Sequence, residues 1–522
     1  MESITRFLLL GACCLALLLT SACAAAQAAP ATAAIPAPAT ATRRSPAETA
    51  TSIPPPTVLP TAPIFVPTSA PTPGPFLEPA GCKAPPDDYA HVQVNGQRLN
   101  QRTYAMLQHA AQLYGGPIDA ANTAVTQGSY SNNGPASFGT HLGGGAVDIS
   151  VIRPGGSKVL YNEIEPLIRA LRAAGFAAWL RDRDEVNPGS GIHIHAIAIG
   201  DAELSPEAVE QLTGPYGYFR GYSGVPQPNG TPEPDRHGGP VICQWMREAG
   251  YADLRPEAAR TYPATNWEAT LREAARKFET AGVEETRQLA FQLDFRPGKN
   301  EDPSNMCGPL AAAILRDAGL LPAGYGPVSD IRAYWLDNPK RDGRPWTLFP
   351  PDDYDLFHFD TPINQFDFAA WPLRPADFLY TYQGRDGYEH MFIVTEVDAQ
   401  GRAYSVTNHK QRDKTYIAQK ILLYDPARPD LGVFKNDWVN SPFVGRTGLG
   451  GFDVLRRKGV SLPPGSRFTY TVRPGDTVQT IAAGYASTFE AIAAENQLPP
   501  PYSLTVGQSL AVPVNIAVTP AP

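Results

Sequence analysis

The sequence predicts a multidomain α+β protein, with folded units carried behind a disordered Pro/Ala/Thr-rich N-terminal stalk. Three observations lead there. The chain has 522 residues, and at roughly 150 residues per domain this gives about three units. Apolar residues recur at helical spacing in some segments and alternate as in strands in others. The 54 Pro and 46 Gly call for linkers and loops rather than a helical bundle. With 43 Lys+Arg against 51 Asp+Glu, the net charge is −8. No global positive charge is available to hold nucleic acid, which is therefore not an expected partner.

The N-terminus reads as an export signal over 1–22. Arg6 precedes a thirteen-residue apolar run, Phe7 to Leu19, which is too short to span a bilayer and suits a signal-peptide core. Leu19-Thr20-Ser21-Ala22-Cys23 resembles the lipobox of bacterial lipoproteins, which implies lipidation of Cys23. Ordinary cleavage at the same small residues is the alternative. No later stretch reaches the ~18 apolar residues of a spanning helix, so the expected membrane contact is the lipid anchor only, on the cell surface or in the periplasm. Residues 24–80 hold fourteen Pro among fifty-seven, and only Arg43, Arg44, Glu48 and Glu78 are charged. Such a segment buries no core, and its prolines keep it extended, at roughly 3 Å per residue. The linker is placed at 23–80.

The first folded unit is placed at 82–250. Helical spacing marks Asn100 to Tyr114 and Ile164 to Ala174, Ala196 to Ile199 reads as a short strand, and 206–240 as loop-rich. Thr140-His141-Leu142-Gly143-Gly144-Gly145-Ala146-Val147-Asp148 sets an imidazole seven residues before a carboxylate, with glycines that let the backbone fold tightly between them. Gly191-Ile192-His193-Ile194-His195 follows, and strand alternation points both histidines to one face. Two His and one Asp make a three-ligand zinc set with a position left open for water.

This pattern resembles the zinc D-alanyl-D-alanine carboxypeptidase and L-alanyl-D-glutamate endopeptidase family, whose His-x-x-Gly-x-Ala-x-Asp motif is matched by His141, Gly144, Ala146 and Asp148. The resemblance covers about 92–200. It implies a zinc-peptidase-like α+β fold, Zn2+ as cofactor, His141, Asp148 and His195 as ligands, and His193 beside the metal. Three positions depart from the family. Ile192 stands where its general base is usual, Gly139 where a serine is common, and Val125 to Ser131 contains none of the arginine that would hold a substrate carboxylate. Asp184, Glu185 or His193 are the candidate replacements for the base. Cys82 and Cys243 bracket this unit and, in an oxidising compartment, are expected to pair; two buried free thiols are the alternative.

The second unit is placed at 255–460. Trp267 to Gln292 is charged and helical in pattern, and an apolar helix then begins at Cys307-Gly308-Pro309. Unsatisfied N–H groups at a helix start favour thiolate. Glu389 to Val397 reads as a strand, Asp398-Ala399-Gln400-Gly401 as a turn and Arg402 to Asn408 as the returning strand, which sets 408 or 409 opposite His390. The order resembles papain-like bacterial cysteine peptidases and amidases of the NlpC and CHAP kind. That implies a papain-like α+β fold with Cys307 as nucleophile, His390 as base and Asn408 as its orienting partner. Asn300 and Glu301 stand where an oxyanion-hole Gln is frequent, which leaves backbone N–H groups to serve.

The last unit, at 467–515 before a short tail 516–522, runs from Phe468-Thr469-Tyr470-Thr471-Val472-Arg473-Pro474-Gly475-Asp476-Thr477 to Leu504 through Pro513. It resembles a LysM domain, a small βααβ module that binds N-acetylglucosamine-containing glycan of peptidoglycan or chitin. The resemblance implies a shallow groove lined by Gly475, Asp476, Thr477 and the segment Pro500 to Leu504, including Tyr502, with backbone groups doing much of the recognition. Together these readings predict a monomeric, exported, cell-wall-associated peptidoglycan binder that cleaves peptide or amide bonds. The alternative is a non-catalytic wall-binding lipoprotein whose peptidase-like domains act as adaptors.

Overall fold

The computed structural model describes residues 76–514 apart from internal stretches, chiefly 257–266, 294–303, 322–348 and 436–447. The expected signal peptide, Cys23, nearly all of the expected stalk, Asp184, Asn300, Glu301 and the tail lie outside the described residues. No helix among the described residues is long and apolar enough to cross a membrane.

The chain opens with a hairpin of β1 (His91–Val94) and β2 (Gln97–Asn100). Helix α1 (Gln101–Tyr114) starts where the Asn100 side chain accepts the Thr103 N–H and stops at Gly115, whose φ of 61° favours glycine. Strands β3 (Val125–Gln127), β4 (Ala146–Ser150), β5 (Phe176–Arg181) and β6 (His193–Ala198) make an antiparallel sheet in the order β3-β4-β6-β5. Helix α2 (Tyr161–Ala173) packs with α1 against it, so that Leu107, Leu167, Leu171, Ile149 and Ile194 share one core.

The other face of the sheet buries Trp179 and Ile197 with Leu212, Tyr218, Cys243 and Met246, supplied in part by α3 (Pro206–Thr213) and α4 (Gln244–Glu248). Helix α3 corrects the expectation of loop over 206–240. Ser205 accepts the Ala208 N–H, and Pro206 stands at the start, where its missing N–H has no intrahelical partner to lose. Cys82 and Cys243 are joined by a disulfide across 161 positions, with Cα atoms 5.6 Å apart.

The charged stretch 267–292 forms two helices, α5 (Trp267–Arg276) and α6 (Val283–Gln292), rather than one, and Gly282 stands at the second start. Helix α7 (Cys307–Asp317) is buried continuously from Cys307 to Leu315. It lies against sheet strands, which explains its nearly all-apolar sequence. Strands β7 (Tyr354–Phe359), β8 (Phe378–Tyr382), β9 (Tyr388–Ile393), β10 (Glu396–Val397), β11 (Ala403–Lys410), β12 (Tyr416–Tyr424) and β13 (Phe452–Arg457) form two antiparallel sheets, β7-β13-β8-β9 and β10-β11-β12.

Here the expected hairpin is corrected. Only Glu396 and Val397 pair across the turn, with Tyr404 and Ala403, while His390 pairs with Thr381 on β8. The strand is diverted at Val394, whose N–H donates to the Asp377 carbonyl, before Thr395 donates to Tyr404.

The last unit consists of β14 (Arg467–Thr471), α8 (Val478–Gly484), α9 (Phe489–Glu495) and β15 (Ser509–Pro513), with β14 and β15 antiparallel. Thr477 and Thr488 cap the two helices, the first in a reciprocal pair with Thr480. Its apolar residues Tyr470, Val472, Ile481 and Leu510 belong to the same buried cluster as α7. Polar ties reinforce the joint: Arg473 reaches the Asp353 carboxylate at 2.8 Å, and Arg457 donates to the Gly484 carbonyl at 2.9 Å.

Candidate functional site

The glycine run between His141 and Asp148 sets the geometry of the first site. A β-carbon on Gly143 would stand 2.3 Å from the Glu203 carbonyl oxygen, so only glycine fits this close approach. His141 lies on a 3-10 turn, Thr140–Leu142, and is 1% exposed. Its Nδ1 lies 2.8 Å from the Gly128 carbonyl, which accepts Nδ1–H and leaves Nε2 turned toward Asp148.

That Nε2 is 3.3 Å from Asp148 Oδ1, and His195 Nδ1 is 2.8 Å from the same oxygen. Register explains the second contact, because Asp148 on β4 is directly opposite His195 on β6. The three ligating atoms lie within 4.8 Å of one another. His193, two residues back on the same strand, directs Nε2 to within 3.7 Å of Asp148 Oδ2 while its Nδ1 meets the Gly191 carbonyl at 2.7 Å.

The electrostatics follow from burial and this convergence. Burial opposes the charge on Asp148, yet its bonds to His141 and His195 outweigh that and hold the carboxyl far below its usual range. Burial pushes His195 down to about 4 against the pull of Asp148, so it stays neutral at physiological pH. For His141 burial likewise acts downward, but the Asp148 hydrogen bond and charge prevail and raise it. His195 Nε2 is buried without a hydrogen-bond partner among the described residues. Two neutral-capable imidazoles and a carboxylate converging in this way fit the donor set of a divalent zinc ion. Trp179 stacks on His195 at 6.3 Å between ring centroids, a neighbour the motif spacing gave no means of finding.

Glu185, a candidate base, is tied down. Arg236 holds it at 2.9 Å, Arg181 stands at 3.7 Å and the Asp182 N–H donates to it. Burial raises its pKa, but Arg236 and Arg181 prevail and lower it, so it is a poor proton acceptor. Ile192 is 3% exposed and belongs to the apolar core.

In the middle unit Cys307 is 2% exposed, and its sulfur accepts the Met391 N–H at 3.5 Å. Alternation along β9 sends Met391 and Ile393 into the cluster around α7 and Phe392 into the opposite one. The His390 ring lies 5.6 Å from that of Phe392. His390 Nε2 is 3.4 Å from the Thr407 hydroxyl, which also donates to Asn408 Oδ1 at 3.3 Å. Thr407 thus contacts both residues named from sequence. Burial, with the nearby His409, pushes His390 down to about 3.

The third set gathers on one loop. Gly475 has φ 83°, Asp476 is 4% exposed, and the Thr477 hydroxyl caps α8. The Asp476 carboxylate accepts from Tyr470 at 2.6 Å, from the Arg473 N–H at 2.7 Å and from Arg169 of α2 at 2.6 Å. Tyr502 packs edge-on against Phe489 at 4.9 Å. Compared with known proteins, the chain as a whole matches no curated protein and no solved structure. One segment does match: residues 470–513, running from within β14 to the end of β15 and containing this loop, are a LysM domain.

Proposed function

We propose that this is an exported, cell-wall-associated protein that binds N-acetylglucosamine-containing peptidoglycan glycan through its LysM domain and hydrolyses peptide or amide bonds of the wall in its first domain. The convergence of His141, Asp148 and His195 within 4.8 Å carries the hydrolytic part of the reading. Those three residues would hold Zn2+, which supplies Lewis-acid polarisation of the scissile carbonyl. With Glu185 tied to two arginines, His193 is the candidate among the described residues left to accept a proton: its Nδ1 is fixed on the Gly191 carbonyl and its Nε2 faces Asp148.

A second reading, favoured by the His390–Thr407–Asn408 chain of polar groups, gives the middle domain cysteine-type hydrolysis with Cys307 as nucleophile. On either reading Cys23 carries the lipid anchor, membrane contact is through that anchor only, and the protein acts as a monomer. If neither domain is catalytic, the chain is an adaptor on the wall. Digesting purified peptidoglycan with wild type, His141→Ala and Cys307→Ser, and analysing the released fragments, decides among these. Loss of fragments only in His141→Ala supports the zinc reading, and loss only in Cys307→Ser supports the cysteine reading. An absence of released fragments with wild type leaves the adaptor.

A further inference from the structure

The LysM loop is met by a segment that precedes the first strand. The Gly475 N–H donates to the Ala80 carbonyl at 2.7 Å, and the Ala80 N–H donates to the Asp476 carbonyl at 2.8 Å, a reciprocal pair like one rung of an antiparallel ladder. Ala80 is 2% exposed and lies in the same buried cluster as Tyr470 and Val472. Next to it, a β-carbon on Gly81 would stand 3.3 Å from Val506 Cγ2, so the segment runs on toward the residues just before the final strand.

The segment is fastened at both ends to the first domain. Phe76 lies under the Arg247 guanidinium at 4.4 Å, Glu78 accepts the Gln244 N–H at 2.8 Å, and Cys82 is in the disulfide with Cys243. Arg169 adds a direct ion pair from α2 to Asp476. A cleft of about 720 Å³, lined by Phe76, Arg169, Arg247, Pro474, Asp476 and Thr480 among others, adjoins this crossing.

We propose that residues 76–82 are a strap that occupies the glycan-recognition loop of the LysM domain, so that glycan binding and docking of the loop on the first domain exclude one another. The proposal rests on the reading of Gly475 to Thr477 as part of the glycan groove. A backbone N–H carries one proton. When that of Gly475 is given to Ala80 it is withheld from a sugar oxygen, and a glycan that takes it must lift the strap. The cleft gives an incoming chain an approach to the loop before the strap leaves.

The test uses the full chain, an N-acetylglucosamine hexamer as probe, and titration calorimetry. Ala80→Pro removes the N–H given to Asp476, one of the two backbone hydrogen bonds of the crossing, and the variant is expected to bind about fivefold more tightly than wild type. Equal affinity overturns the strap while leaving the LysM reading intact. Binding by neither protein refutes the glycan reading, and the strap falls with it. Hydrogen exchange on wild type provides a second measure that does not depend on the variant folding. Saturating hexamer is expected to speed exchange at the Ala80 amide, and unchanged or slower exchange there overturns the proposal.

Discussion

Neutralising Asp353 is expected to loosen the joint between the LysM domain and the sheet strands β7 and β13 that precede it in the chain. Its carboxylate accepts from Arg473 at 2.8 Å and from the Tyr485 hydroxyl at 3.0 Å. Burial acts to raise its pKa, but the charges of Arg473, Arg457 and Arg169 prevail and take it from an ordinary 3.8 down to about 2. That difference corresponds to ~2.4 kcal/mol. Because 27% of the side chain is exposed, solvent screening reduces the expected contribution to ~1–2 kcal/mol.

The sign is that of a carboxylate held below its ordinary value. The stabilisation is fully present above about pH 4 and is lost as pH falls through about 2. A double-mutant cycle of Asp353→Asn and Arg473→Met, read by urea denaturation, should therefore give a coupling of ~1–2 kcal/mol at pH 7 that shrinks toward zero near pH 2. Coupling below about 0.3 kcal/mol at pH 7, or coupling that does not change with acid, refutes the reasoning.

Other outcomes follow from the same structure. Metal-free protein should take up Zn2+ at one site and gain thermal stability, with both effects absent in His141→Ala; uptake unchanged by that substitution contradicts the assignment. Replacing Cys82 and Cys243 by serine opens a loop of 161 positions and should cost up to about 5 kcal/mol in the chain-entropy model, so an unchanged denaturation midpoint counts against it. A thiol-directed electrophile should label Cys307 only slowly in the folded chain because the residue is 2% exposed. Labelling should vanish in Cys307→Ser and slow further in His390→Ala if the cysteine reading holds, whereas equal rates with and without His390 oppose it. Gly143→Ala should disturb the proposed Zn2+ site from outside the donor set, since its β-carbon would stand 2.3 Å from the Glu203 oxygen; wild-type Zn2+ affinity in that variant contradicts the close approach.

Periodicity and motif spacing made much of the first unit legible. Helical spacing over Asn100 to Tyr114 foretold α1 to within a residue, and seven-residue spacing with glycines brought His141 round to Asp148. The position of His195 follows from register between β4 and β6, which a single chain does not announce. In the middle unit local signals favoured a hairpin from His390, but pairing with β8 overrode them, and Thr407 contacts both His390 and Asn408. The LysM loop was readable because its turn chemistry is local: Gly475 takes a positive φ, and Asp476 and Thr477 bind nearby N–H groups. Ala80 was not readable. An alanine in a proline-rich tract carries no mark of a contact made nearly 400 positions away.

The central claim is glycan capture by the C-terminal domain, and co-sedimentation of the full chain with purified, insoluble peptidoglycan tests it most directly. The account predicts that the protein is retained in the pellet and released by excess N-acetylglucosamine hexamer. A chain that stays in the supernatant, both as wild type and as Ala80→Pro, contradicts it.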